Sequence, residues 1–121
     1  MRTMLLAAAA TAALAVGAAA HDHVEGTLVL YTSQPNADAQ TTVDAFMAAY
    51  PDVTVQWQRA GTTEMMAKLR AEFEAGAPQP DVLLIADTVT MEGLEQEGRL
   101  MAYPEADVSA YDPALMDPER H

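Results

Sequence analysis

Polar side chains with scope for chemistry follow three apolar segments of the sequence. They are Ser33 and Gln34 after the first segment, Thr62 and Thr63 after the second, and Asp87 and Thr88 after the third. If the segments are parallel strands, these residues lie at one sheet edge, where helix N-termini direct unpaired N–H groups at ligands. We therefore predict that all six bind a ligand. The alternative, helix capping, is the default role of such residues and is slightly favoured for Asp87.

The same loops carry no catalytic constellation. The histidines lie near the two ends of the chain (His21, His23 and His121), so none is placed to act as a base for Ser33. The segment Ala60–Thr63 has one glycine and no lysine, unlike a phosphate-binding loop. The absence of cysteine excludes a disulfide scaffold, a zinc-thiolate site and a thiol nucleophile. These observations predict a binding protein without enzymatic activity or cofactor.

One metal site is predicted outside these loops. If cleavage follows Ala20, His23 becomes the third residue of the mature chain, after His21 and Asp22. A free amino terminus, two amides and that imidazole would enclose Cu(II) or Ni(II) in a square plane. The alternative is a chain tip without a role.

Strand-like segments and segments with helical spacing of apolar residues alternate along the chain and position these loops. Residues 27–31, 53–57 and 81–86 are rich in strand formers, and the third is predicted to be a buried parallel strand. Apolar residues at helical spacing follow each strand. They are Ala39, Val43, Phe46, Met47 and Tyr50 in the first helix and Met65, Met66, Leu69 and Phe73 in the second, with a short third helix ending at Gly98. The order predicts an α/β fold with a three-stranded, mostly parallel sheet and helices on both faces.

The N-terminus predicts export. Arg2, the uncharged apolar run from Met4 to Val16 and the small residues Ala18–Ala20 have the order of a signal peptide, here residues 1–20. A lipid anchor on cysteine is excluded, and the periplasm is the predicted location. The net charge of −12 argues against nucleic acid or anionic membrane as a partner. We expect a monomer without stable membrane insertion.

Four segments together resemble the start of a solute-binding protein of an ABC importer. They are LVLYTSQ (28–34), DAFMAAYP (44–51), VTVQW (53–57) and PDVLLIAD (80–87). The nearest group is the ferric-iron-type periplasmic binding proteins, with phosphonate, thiamine and polyamine relatives. The resemblance covers about residues 26–104. It implies a type II periplasmic binding protein whose two lobes close on a small solute and then engage an ABC permease in the inner membrane.

This resemblance sets the expected domains. Residues 21–104 are predicted to be a partial N-terminal lobe, and residues 105–121 an irregular, truncated tail. Two first-lobe iron ligands of the group are missing, because the histidine position falls on Pro35 and the glutamate position near Ala86, beside Asp87. Iron binding through tyrosines of a second lobe stays open, as do phosphonate, polyamine, thiamine or another organic solute. A second alternative is an exported α/β enzyme whose catalytic half is missing.

Overall fold

Three parallel strands form one sheet in the computed structural model, which describes residues 24–121. The strands are β1 (Gly26–Thr32), β2 (Val53–Arg59) and β3 (Val82–Leu84), in the order β2-β1-β3. Leu30 of β1 is in register with Trp57 of β2 and with Val82 of β3. The central strand β1 is thus paired on both sides. Its neighbouring residues Leu30 and Tyr31 are both buried, as expected of the strand that the apolar run at residues 27–31 predicts.

The helices cover both faces of this sheet. They are α1 (Asn36–Ala49), α2 (Thr62–Glu74) and α3 (Thr88–Gln96), followed by a 3₁₀ turn at Pro113–Leu115. Even-numbered residues of β1, such as Leu28 and Leu30, face α1, whereas Tyr31 faces α2. The predicted fold class is therefore confirmed.

The core lies between α2, α3 and the sheet. Leu69 and Leu94 are fully buried and Met66 nearly so, and Leu83 and Ile85 pack against them. Met65 is buried too, so the prediction that this methionine pair belongs to the core is correct. The helical spacing of residues 65, 66 and 69 explains why one face of α2 supplies most of this cluster.

One polar network ties β1 to α2. The hydroxyl of buried Tyr31 donates to Glu72 Oε1 (2.8 Å), and Lys68 Nζ donates to the same carboxylate (2.7 Å) and to the Tyr31 hydroxyl. Glu72 Oε2 accepts the backbone N–H of Gln79 (3.1 Å). The Lys68 ammonium also lies 4.2 Å from the centroid of the Tyr31 ring. The Glu72 carboxylate therefore fixes a strand, a helix and the loop before β3.

Glu72 is expected to make stability depend on pH. Burial alone would raise its pKa, but hydrogen bonds from Lys68, Tyr31 and the Gln79 amide outweigh burial and hold the pKa below 4.5. A lowered folded-state pKa stabilises the fold above pH 4.5, and this contribution is lost as pH falls through the folded-state value. Glu72→Gln should cost about 1.5–3 kcal/mol at neutral pH. Urea unfolding should show this difference shrinking in acid.

Glu74→Gln is the matched control, because Glu74 is an exposed carboxylate on the same helix. Its unfolding midpoint should follow wild type at every pH. An equal loss for both variants, or a Glu72→Gln loss that persists in acid, would contradict the assigned network.

The face under α1 is more open than its sequence predicts. β3 has three residues instead of the predicted six, and Val82 and Leu84 are 42% and 38% exposed. Phe46 and Tyr50 are also exposed, although their spacing predicts burial with Ala39 and Val43. The prediction of a strand buried on both faces is therefore wrong for β3. The physical reason is that α1 covers β1 and β2, and no described element covers the α1 side of β3.

Helix ends follow the sequence closely. Gly76 and Gly98 adopt left-handed φ angles of 67° and 65° just beyond α2 and α3, a conformation that glycine adopts at low cost. Pro51 follows the end of α1. Residues 105–121 contain turns, bends and the short 3₁₀ helix, and no strand or α-helix.

The predicted signal peptide and the His21/His23 copper site lie outside the described residues. Within residues 24–121, none of the helices has the length and apolar composition needed to cross a membrane.

Candidate functional site

At the carboxyl edge of the sheet, hydrogen bonds link the loop after β1 to the loop after β3. Ser33 N donates to Leu84 O (3.1 Å), and Ser33 Oγ accepts from Ala86 N (3.0 Å). Buried Thr32 donates its hydroxyl to Leu84 O (3.0 Å) and accepts from Gln34 N (3.1 Å). Both residues therefore hold loops in place. The hydroxyl of Ser33 has a structural partner, in addition to the ligand-binding role predicted for it.

The loop after β2 joins the same edge. Ala60 N donates to Thr32 O (3.3 Å), and Arg59 Nε donates to Gln34 O (3.1 Å). The Arg59 side chain makes no ion pair with any carboxylate of residues 24–121. Its remaining guanidinium N–H groups are thus donors at the sheet edge that no carboxylate of the described residues engages.

Gln34 lies at this junction with an incomplete set of hydrogen bonds. The Gln34 Oε1 atom is buried and has no hydrogen-bond partner among the described residues. Buried polar atoms are nearly always paired, and exceptions are often found where a ligand or water binds. The geometry is therefore consistent with a binding role for Gln34.

Thr62 and Thr63 are the first two residues of α2, after Gly61 at the N-cap. Thr62 is half-buried and Thr63 is exposed, and Gly61 O accepts the Met65 N–H (2.8 Å). The alternative that a threonine caps this helix is wrong, because α2 has no side-chain capping bond. The first backbone N–H groups of α2 have no partner within the helix, and the positive end of the helix dipole lies there. A negatively charged group is therefore favoured at this position.

Asp87 and Thr88 lie at the third loop. Asp87 occupies the N-cap position of α3 but makes no capping bond to the backbone; its Oδ2 instead accepts the Thr90 hydroxyl. Both residues line an open cavity of about 800 Å³ that runs along α3 to the C-terminal segment. Asp87 is half-buried there, and its second carboxylate oxygen is not engaged by Thr90.

The structure thus brings the six predicted residues to one edge but not into one cavity. Ser33 bonds directly to the loop before Asp87, whereas Ser33, Gln34, Thr62 and Thr63 do not line the cavity that Asp87 lines. Arg59, at the end of β2, was not among the residues predicted from the sequence to bind a ligand. Sequence reasoning also missed three cavity residues near the C-terminus (Glu95, Asp117 and His121). No periodic pattern places the last two, because their segment is irregular.

An open parallel sheet with polar loops at its carboxyl edge is the architecture of an α/β ligand-binding lobe. The sequence profile of the bacterial extracellular solute-binding proteins matches residues 30–118, and the chain belongs to this family. No curated protein matches the chain significantly.

Family membership gives the chain a solute-binding role in transport. The partners that this role implies are a small solute and an ABC permease, and an extracellular or periplasmic location agrees with the family description. Solute-binding proteins generally bind without chemical conversion, in agreement with the prediction that the chain is not an enzyme.

Proposed function

We propose that the chain captures a small organic solute with an anionic group in the periplasm and delivers it to an ABC permease. The observation that carries this proposal is Arg59, whose Nε donates to Gln34 O while its other N–H donors have no carboxylate partner among residues 24–121. A guanidinium with free donors suits a carboxylate or phosphonate, which it can bind through two parallel hydrogen bonds.

The neighbouring groups support the same chemistry. The N-terminus of α2 supplies backbone N–H donors beside Thr62 and Thr63, and the field of a helix N-terminus favours an anion. Ser33 and Gln34 complete the polar edge. Asp87 and Thr88, on the far loop, would accept hydrogen bonds from an amine or hydroxyl of the same solute.

Among the solutes left open by the sequence, this edge favours a phosphonate or another organic anion. A polyamine would meet the positive charge of Arg59. Ferric iron would find only one carboxylate, Asp87, among the six predicted residues and would need further anionic ligands. The family assignment does not distinguish these solutes, so the preference rests on the charges at the edge.

The domain organisation belongs to the same proposal. Residues 1–20 would be removed on export, residues 21–104 would form most of the first of two lobes, and residues 105–121 would follow as an irregular segment. Closure of two lobes excludes water from a ligand, so residues 21–104 alone would supply only part of the affinity.

A thermal-shift screen of the purified full chain tests the solute class. Methylphosphonate, succinate, spermidine, thiamine and Fe(III) citrate are the probes, and we expect an anion to raise the melting temperature most. Stabilisation by spermidine or Fe(III) alone, or by no anion, would overturn the proposal.

Arg59→Gln should weaken binding of the best anion by roughly 10-fold to 100-fold, since a hydrogen bond to a charged group contributes about 1.5–3 kcal/mol. Arg99→Gln is the matched control, because it removes the same charge from a side chain that stacks on Phe73, 4.7 Å from the ring centroid. Isothermal titration calorimetry measures both variants. Equal losses would mean that net charge, not the edge, governs affinity.

A further inference from the structure

Three metal-ligating side chains converge at the end of the cavity remote from the strand edge. Glu95 lies in the last turns of α3, and Asp117 and His121 lie in the C-terminal segment after the 3₁₀ turn. His121 Nδ1 is 3.1 Å from Asp117 Oδ2 and 3.8 Å from Glu95 Oε1. The ligand atoms of all three residues lie within 4.8 Å of one another.

These distances suit a tetrahedral ion. Ligand atoms about 2.0–2.2 Å from a tetrahedral zinc ion lie about 3.3–3.6 Å from each other. The two separations from His121 Nδ1, 3.1 Å and 3.8 Å, fall on either side of that range. Shifts of a few tenths of an ångström would therefore bring both pairs that include His121 Nδ1 into this range. The Glu95 and Asp117 oxygens lie within 4.8 Å of each other, so closing that pair needs a movement of at most about 1.5 Å.

The charge of the cluster also favours a cation. Within residues 24–121, no lysine or arginine nitrogen lies within 4 Å of the Glu95 or Asp117 carboxylate. The basic residues closest in the sequence have other contacts, since Arg120 donates to Ala106 O and Arg99 stacks on Phe73. Two carboxylates thus share one imidazole, which in its neutral form leaves both negative charges without compensation.

Burial and backbone contacts hold the three side chains in place. The His121, Asp117 and Glu95 side chains are 22%, 21% and 32% exposed. Asp117 Oδ2 accepts the His121 backbone N–H (2.7 Å), and Arg120 N donates to Asp117 O (3.2 Å). The turn at residues 117–121 therefore places the His121 imidazole next to the Asp117 carboxylate, four residues earlier in the chain.

We propose that Glu95, Asp117 and His121 form a binding site for a divalent transition-metal ion of the Zn²⁺ type. One imidazole nitrogen and two carboxylate oxygens are ligands that Zn²⁺ accepts, and three protein ligands leave a fourth position for water from the cavity. The bound ion would fasten the C-terminal segment to α3. This inference does not depend on the proposed solute, because none of its three residues is Arg59 or one of the six predicted ligand-binding residues, although Asp87 and Thr88 line the same cavity.

Zinc titration of the purified full chain tests the site. The background variant carries His21→Ala and His23→Ala, which removes the two other histidines, and a chelating dye reports free Zn²⁺. We expect one bound equivalent per chain. His121→Ala and Asp117→Asn should each weaken binding about tenfold or more, given the tenfold to hundredfold losses caused even by changes around metal ligands.

Glu97→Gln is the matched control, because Glu97 directly follows α3 but pairs with Arg70 (3.1 Å) outside the cluster. Its zinc affinity should equal that of the background variant. X-ray absorption of the zinc-loaded background protein should show oxygen ligands and one imidazole. That measurement does not depend on the folding of any further variant.

Unchanged affinity in His121→Ala, less than one equivalent of zinc, or a first shell without imidazole would each overturn the site. These outcomes leave the solute proposal untouched, and a failed solute screen leaves the zinc site untouched.

Discussion

Leu69→Ala is expected to lower the free energy of unfolding by about 3 kcal/mol, within the range of about 2–5 kcal/mol for buried leucines. Leu69 is 0% exposed and packs with Met66 and Leu94 at the junction of α2, α3 and the sheet. Alanine would leave a cavity between α2, α3 and the sheet, and all three would have to move to fill it. Urea unfolding followed by circular dichroism measures the loss.

Val89→Ala is the control for this experiment. Val89 is 78% exposed on α3, so removing its methyl groups changes little buried surface. We expect a change within about 0.5 kcal/mol. A Leu69→Ala loss no larger than that of Val89→Ala would show that α2 and α3 do not form the core described above.

Thr32→Val is expected to cost about 1–3 kcal/mol and to weaken solute binding as well. The Thr32 hydroxyl donates to Leu84 O and accepts from Gln34 N, and the residue is fully buried. Valine keeps the volume but leaves the Gln34 N–H without this acceptor, and an unsatisfied buried group costs about 1–3 kcal/mol. Urea unfolding gives the first effect. Calorimetry with the best anion of the screen gives the second.

Thr27→Val provides the comparison on the same strand. Thr27 is exposed near the start of β1, far from the polar edge, and valine is a good strand former. Its stability and its solute affinity should match wild type. If Thr32→Val had the unfolding free energy and the solute affinity of wild type, Thr32 would not position the Gln34 loop.

The sequence predicted the parts of the fold that local chemistry determines. The apolar run at residues 27–31 became the central strand, and Gly76 and Gly98 ended α2 and α3, because these signals act over a few residues. Pro51 likewise ends α1. The placement of helices on both faces of the sheet then followed from the handedness of parallel crossovers.

Burial of β3 could not be predicted in the same way. The apolar run at residues 81–86 is consistent with a strand covered on both faces, yet Val82 and Leu84 stay exposed. The burial of this face of β3 depends on whether a helix packs against it. The amino-acid composition of the strand does not show which helix does so. Phe46 and Tyr50 differ from the helical pattern for the same reason.

The candidate site was also predicted only in part. The positions of the loops after the strands predicted which residues share the sheet edge, but not their hydrogen-bond partners. Ser33 binds the loop after β3 instead of standing free, and Asp87 accepts a threonine hydroxyl instead of capping the backbone. The Glu95, Asp117 and His121 cluster was missed because it depends on how an irregular segment returns to α3.

The pairing of β1 has a consequence for the order of folding. Its side-by-side partners are distant in the chain; Thr32 bonds to Leu84, 52 positions later. Closing such long loops is slow, and topologies dominated by distant contacts fold more slowly than helical ones. The central strand cannot complete its ladder until β3 has been synthesised. A nascent chain that ends before residue 82 therefore lacks one edge of the sheet and cannot form the complete three-stranded structure.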